Sequence, residues 1–218
     1  MLVTGGARGI GRAIADRYRA HGHTVLTPTR LELELASDES LGIFLDAMAA
    51  TPIDVLVNNA AENVPQMLEE IAPITLDRAL DVNIRAPFLL TKHFGVPMAE
   101  RGFGRIVNLS SVYALVSRPK RSMYTTTKAA LNGLTRASAV ELAYGNVLVN
   151  AVCPGFVDTD LTRQNNSPED IARLCGTVPL GRLASPDEIA TLVYFLGSRE
   201  NSYVTGQTIV IDGGFTCQ

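Results

Sequence analysis

The stretch Thr4-Gly5-Gly6-Ala7-Arg8-Gly9-Ile10-Gly11 constrains this chain more than any other. It separates a short apolar run at Leu2–Thr4 from a helical pattern over Gly11–Ala20, so it reads as the turn of a strand–turn–helix unit. Glycines at 5, 9 and 11 let the backbone approach a phosphate closely, and a helix starting near Gly11 aims its free amides and positive end at the same point. The spacing Gly-x-x-x-Gly-x-Gly differs from the commoner dinucleotide fingerprint, and taken alone it also suits a plain tight turn. Only three residues precede the turn, so the first strand is expected to be very short or to lack its beginning.

Farther along, short apolar runs alternate with longer helical patterns, the signature of strand–helix–strand units around a mostly parallel sheet. Strands are predicted at Val25–Thr27, Ile53–Asn58, Arg105–Leu109, Val147–Val152 and Thr208–Ile211. Helices are predicted at Gly11–Ala20, Glu39–Ala50, Leu76–Glu100, Tyr124–Tyr144, Pro168–Leu174 and Pro186–Leu196, several opening beside a proline or an Asp/Ser cap. Leu31-Glu32-Leu33-Glu34-Leu35 alternates like a strand but begins within a few residues of Thr27. Adjacent parallel strands need a crossover of about a dozen residues, so one strand–helix unit is expected to be missing after the second strand.

A length of 218 residues with 46% hydrophobic content suits one α/β domain over 1–218 with a sizeable core. The net charge of −3 gives no general reason to expect nucleic acid or an anionic membrane as partner. Cys153, Cys175 and Cys217 are too few and too scattered for a disulfide framework or a metal site, which points to a reducing cytoplasm. No charged leader with an apolar core opens the chain and no stretch approaches a membrane span, so neither secretion nor insertion is expected.

Tyr124 and Lys128 stand one helical turn apart, and Ser111 lies upstream. A free tyrosine has a pKa of about 10, and a nearby ammonium lowers it by stabilising the phenolate. Tyr124 is thereby suited to give a proton to a carbonyl oxygen as hydride arrives, or to take one in reverse. A Tyr-x-x-x-Lys pair alone is common on helix surfaces; Ser111 and the glycine turn raise it to a candidate site. The run Val55-Leu56-Val57-Asn58-Asn59-Ala60-Ala61 ends a buried strand with small and amide residues, as an ordinary turn does or as a wall against a flat ring does.

With these motifs together, the chain resembles a short-chain dehydrogenase/reductase over nearly its whole length, in particular members of the 3-oxoacyl carrier-protein reductase type. The resemblance implies a three-layer, doubly wound Rossmann-like fold. It implies Tyr124 as acid/base, Ser111 as hydrogen-bond donor to the substrate oxygen with Ser110 as fallback, and Lys128 as electrostatic partner and ribose ligand. Asn83, in Asp81-Val82-Asn83-Ile84, matches the asparagine that supports a water relay to the lysine. Gly5, Arg8, Gly9, Ile10 and Gly11 match the family's cofactor turn, and Asn59, Ala60 and Ala61 its Asn-Asn-Ala segment, with Ala61 standing where members usually carry glycine. Glu34-Leu35 resembles the family's Asp-Leu/Val adenine contact. Pro154, Gly155, Val157 and Thr159 match the segment that positions the nicotinamide, and Tyr203 to Gly214 is also family-like. Members usually assemble through the helices holding Asn83 and Tyr124, which implies a homo-oligomer, a dimer or tetramer.

The cofactor implied is NADP(H), because Arg8 and Arg30 suit a 2′-phosphate; Glu32 and Glu34 nearby leave NAD(H) open. Arg118, Lys120 and Arg121 precede Tyr124 and are read either as a solvated loop or as an attractor for an anionic substrate. His21, His23 and His93 show no metal-ligand spacing, so no metal is expected. Cys153 is read as core packing. Asp160 to Pro179 is where the family places a mobile substrate lid, although Asn165-Asn166-Ser167-Pro168 equally suits a helix cap. The activity implied is hydride transfer between a nicotinamide and a small carbonyl or secondary alcohol: a ketoacyl thioester, ketone or keto sugar. The alternative is a cofactor-binding regulator with little turnover.

Overall fold

Strand β1 (Leu2–Val3) carries the chain into the glycine turn, and α1 (Gly9–Ala20) leads away from it. The computed structural model describes residues 1–164 and 166–218. After α1 come α2 (Asp38–Met48), β2 (Val55–Asn58), α3 (Pro73–Leu80), α4 (Ala86–Glu100), β3 (Gly104–Leu109), α5 (Ser122–Leu142), β4 (Val147–Pro154), α6 (Asp160–Gln164), α7 (Pro168–Gly176), α8 (Pro186–Gly197) and β5 (Thr208–Ile211). The strands form one five-stranded sheet in the order β1-β2-β3-β4-β5, with every pairing parallel.

Alternate strand residues feed two cores, because successive side chains leave opposite faces of a sheet. Leu2, Leu56, Ile106, Val147 and Val149 pack with Leu41, Leu90, Phe94, Met98 and Leu142 of the α2, α4 and α5 layer. Val3, Val55, Val57, Val107 and Val152 pack with Ile14, Tyr18, Ile189, Val193 and Leu196 of the α1 and α8 layer. A sheet covered on both faces explains why β2, β3 and β4 are buried at every residue rather than at alternate ones. The expected three-layer architecture is present.

Two expected elements are corrected. Val25–Thr27 is not a full strand: Leu26 makes a single parallel bridge to Leu2, with Val3 N donating to Leu26 O at 2.9 Å. Leu31–Leu35 forms turns, with Leu31 exposed and Leu33 buried, and no helix lies between Leu26 and α2. The strand–helix unit expected to be missing is indeed absent, and without a following strand the segment at 25–27 has only β1 to pair with. Leu76–Glu100 is also not one regular helix. The chain enters α3 at Pro73, passes through a π-helical segment at Asp81–Arg85, and continues as α4. The extra residue per turn of such a widened, underwound segment is invisible to a 3.6-residue pattern.

From the bridge at Leu26 the chain crosses to β2 on the other side of β1, so strand order reverses at β1. Such a switch point opens a crevice at the carboxyl ends of the strands. Ser167 caps α7 by accepting from Asp170 N, in line with a helix cap; Asn165 lies outside the described residues. No helix of the described residues is long and apolar enough to cross a membrane.

Candidate active site

The crevice at the switch point is a cleft of about 430 Å³. Its floor is the glycine turn. Gly5 and Gly9 adopt φ of +64° and +54°, which residues with a Cβ rarely hold, and a Cβ on Gly11 would lie 2.3 Å from the Gly5 carbonyl. No side chain caps α1, so its first-turn amides stay open toward the cleft. Thr4 and Asn59 fasten the turn to β2: Asn59 N and Ala60 N donate to Thr4 Oγ1 at 3.0 and 3.1 Å, while Asn59 Nδ2 donates to the Thr4 and Gly5 carbonyls.

Of the residues expected at a cofactor, Gly5, Arg8, Gly9, Ile10, Gly11, Arg30, Glu34, Leu35, Asn59, Ala60, Ala61, Tyr124 and Thr159 line this cleft. Lys128, Pro154, Gly155 and Val157 do not. Lys128 is buried beneath Tyr124, and Gly155 is pressed against Asp212, where a Cβ would come within 2.8 Å of the Asp212 Cα. Sequence reading passed over Glu62 and Arg78, which belong to an ionic chain along the cleft wall. Arg30 pairs with Glu34, and Arg78 pairs with both Glu34 (3.6 Å) and Glu62 (3.0 Å). Arg8 makes no ion pair among the described residues.

At the inner end of the cleft, α5 presents Tyr124 and, one turn on, Lys128, whose Nζ lies 5.5 Å from the Tyr124 ring centroid. Lys128 Nζ donates to the Leu109 carbonyl at 2.6 Å, and burial pulls its ammonium down to about 8. Burial pushes the Tyr124 phenol up to about 12; the Arg121 guanidinium and then the Ser111 hydroxyl pull against that rise. The phenol therefore has two cations near it, the Arg121 guanidinium and the Lys128 ammonium, and the latter is anchored by the Leu109 carbonyl.

Ser111 is buried at the end of β3 beside Tyr124, its Oγ accepting from Tyr113 N at 3.1 Å. Ser110 turns the other way, donating to the Lys128 carbonyl at 3.2 Å, so Ser111 is the hydroxyl at the phenol. Asn83 sits in the π-helical segment, 1% exposed. Its Oδ1 accepts from Glu62 N, and its Nδ2 donates to Glu62 O and Thr127 Oγ1. It thereby fixes the cleft wall to α5. Cys153 is buried behind Lys128 with its thiol pushed up by burial, a packing position. No cluster of metal-ligating side chains occurs among the described residues.

The family model described as enoyl-(acyl carrier protein) reductase matches residues 27–216. The chain is 38% identical to the 3-oxoacyl-[acyl-carrier-protein] reductase FabG of Aquifex aeolicus (strain VF5), covering 98% of this chain and 95% of that one. The chain belongs to the short-chain dehydrogenase/reductase family. This short-chain dehydrogenase/reductase is also 36% identical to an acetoacetyl-CoA reductase of Shinella zoogloeoides, over 98% of this chain and 96% of the relative. Among solved structures, ElxO with NADP bound superposes with a TM-score of 0.91 at 28% identity, covering 100% of this chain and 98% of that one. The match to FabG runs over 237 positions, more than the 218 residues here, so the relative carries residues that this chain lacks.

Proposed function

We propose that this protein, acting as one domain, is an NADP(H)-dependent oxidoreductase that interconverts a small carbonyl compound and its secondary alcohol. The observation that carries the reading is that Tyr124 lines the same cleft as Gly5, Gly9 and Gly11, with Ser111 and Lys128 packed around it. The cleft fits a dinucleotide: the glycine cradle would be filled by any Cβ at Gly11, the α1 amides are uncapped, and Arg8 and Arg30 line the same cleft and would hold a 2′-phosphate. NAD(H) is the second choice, favoured by Glu34 at the same wall. The relatives' names, two of them reductases of oxoacyl compounds, and the NADP in the ElxO structure support both the chemistry and the cofactor.

When bound, the nicotinamide supplies or accepts the hydride. Tyr124, protonated at neutral pH because burial holds its phenol near 12, donates its proton to the carbonyl oxygen. Ser111 hydrogen-bonds the same oxygen and stabilises its growing charge. Lys128 keeps a positive charge behind Tyr124 below its pKa of about 8, and Asn83 fixes the wall through which the proton is replaced. The test is oxidation of NADPH and NADH against β-keto thioesters, ketones and keto sugars. Saturable turnover with NADPH preferred is expected. Tight NADPH binding without turnover on any member would favour a cofactor-binding regulator instead.

A further inference from the structure

We propose that Arg118 and Arg121 form a subsite for an anionic group, a carboxylate above all, on the substrate itself, so that the preferred substrates are small keto acids or hydroxy acids. The inference rests on the reading of Tyr124 as the proton donor.

Both guanidiniums converge on one ring. Arg118 lies 5.6 Å and Arg121 5.5 Å from the Tyr113 centroid, and the Tyr113 ring is 6.4 Å from that of Tyr124. Lys120 between them holds φ of +67°, a left-handed turn that brings both arginines to the same ring. Elsewhere arginines such as Arg30, Arg78, Arg85, Arg163 and Arg182 are matched with carboxylates; among the described residues neither Arg118 nor Arg121 is. Arg121 instead donates to the neutral Asn63 Oδ1 at 2.7 Å, at the edge of the cleft. Burial works against its charged form, Tyr113 favours it, and the like charge of Arg118 opposes it.

A second observation points to a ligand. Tyr113 is 7% exposed, and its buried hydroxyl has no carbonyl or carboxylate among the described residues to donate to, the Arg121 guanidinium beside it being a donor itself. An anion seated there would give both guanidiniums a charged partner and could accept from the Tyr113 hydroxyl. The Tyr113 and Tyr124 rings stand edge to face with centroids 6.4 Å apart, so the anion and the reacting carbonyl fit within one small molecule rather than at opposite ends of a carrier arm. Phe156, 6.4 Å from Tyr113 and 5.8 Å from the Arg118 guanidinium, offers an apolar wall for the chain between them.

The experiment compares alpha-, beta- and gamma-keto acids with their methyl esters under saturating NADPH, in the wild type, Arg118→Gln and the Arg118→Gln/Arg121→Gln double variant, with NADPH binding as the check on folding. The wild type is expected to favour at least one acid over its ester by about tenfold or more in kcat/KM, as a charge-assisted hydrogen bond gives. The preference should fall with added salt, drop in Arg118→Gln and vanish in the double variant, mainly through KM. Esters used as well as acids, or an acid preference that survives both substitutions, would overturn the subsite while Tyr124-dependent turnover left the reductase standing. No Tyr124-dependent turnover on any compound would remove both.

Discussion

Glu34 holds the Arg30 guanidinium in an ion pair at the mouth of the cleft, and the same carboxylate reaches Arg78 on the opposite side at 3.6 Å. Both arginines hold Glu34 below the usual carboxylate range even though burial pushes it up, so it is charged at neutral pH. A negative charge beside Arg30 opposes a 2′-phosphate. Glu34→Gln is therefore expected to raise affinity for NADPH several-fold and to leave NADH unchanged or weaker. The effect is modest because exposed ion pairs contribute little. Fluorescence titration of both cofactors checks it; a gain for NADH alone would contradict this placement of Arg30.

Two glycines separate packing from propensity. A Cβ at Gly11 would lie 2.3 Å from a backbone oxygen of the turn, whereas one at Gly133, inside α5, would meet nothing within 4 Å. Gly11→Ala should lose NADPH affinity by more than about tenfold, since the turn itself has to move. Gly133→Ala should bind normally and gain up to about 1 kcal/mol of stability from helix propensity. Urea unfolding with a binding isotherm on each variant reads both effects.

Burial raises the Tyr124 phenol and the Arg121 guanidinium pulls against that rise, so removing Arg121 raises the pKa further. Alcohol oxidation needs the deprotonated phenol, whose fraction grows with pH. In Arg121→Gln the rising limb of kcat/KM for oxidation should move to higher pH. A limb that stayed in place or moved to lower pH would show that Arg121 does not act on Tyr124.

Asn83 uses both ends of its amide to join the Glu62 backbone to Thr127. Asn83→Ala leaves those buried groups unpartnered, a loss of about 1–3 kcal/mol by urea unfolding. Because the Glu62 segment lines the cleft, kcat should fall as well, even at temperatures where the variant is fully folded.

The fold was legible where short, mostly apolar runs lie in the middle of the sheet: β2, β3 and β4 read as strands and pair in register. The candidate site was legible as a glycine turn and a Tyr-x-x-x-Lys spacing, because a helix carries residues 124 and 128 to the same region. Other features depended on tertiary context. The alternation at Leu31–Leu35 looks like a strand until the missing neighbour is counted, and the π-helical segment around Asn83 has no sequence period of its own. Arg118 and Arg121 read equally well as a solvated loop, since nothing local reveals that they converge on Tyr113. The helical spacing brings the Lys128 ammonium to 5.5 Å from the Tyr124 ring, but its anchor on the Leu109 carbonyl has no signal in the sequence.

The most direct test of the central claim is Tyr124→Phe, measured for both NADPH affinity and NADPH oxidation on the best substrate of the panel. Removing one oxygen from a half-buried ring at the cleft should leave the dissociation constant within a few-fold and lower kcat by about a hundredfold or more, the scale of a lost general acid. Equal turnover by the variant and the wild type would contradict the account, because Tyr124 would then not be the proton donor.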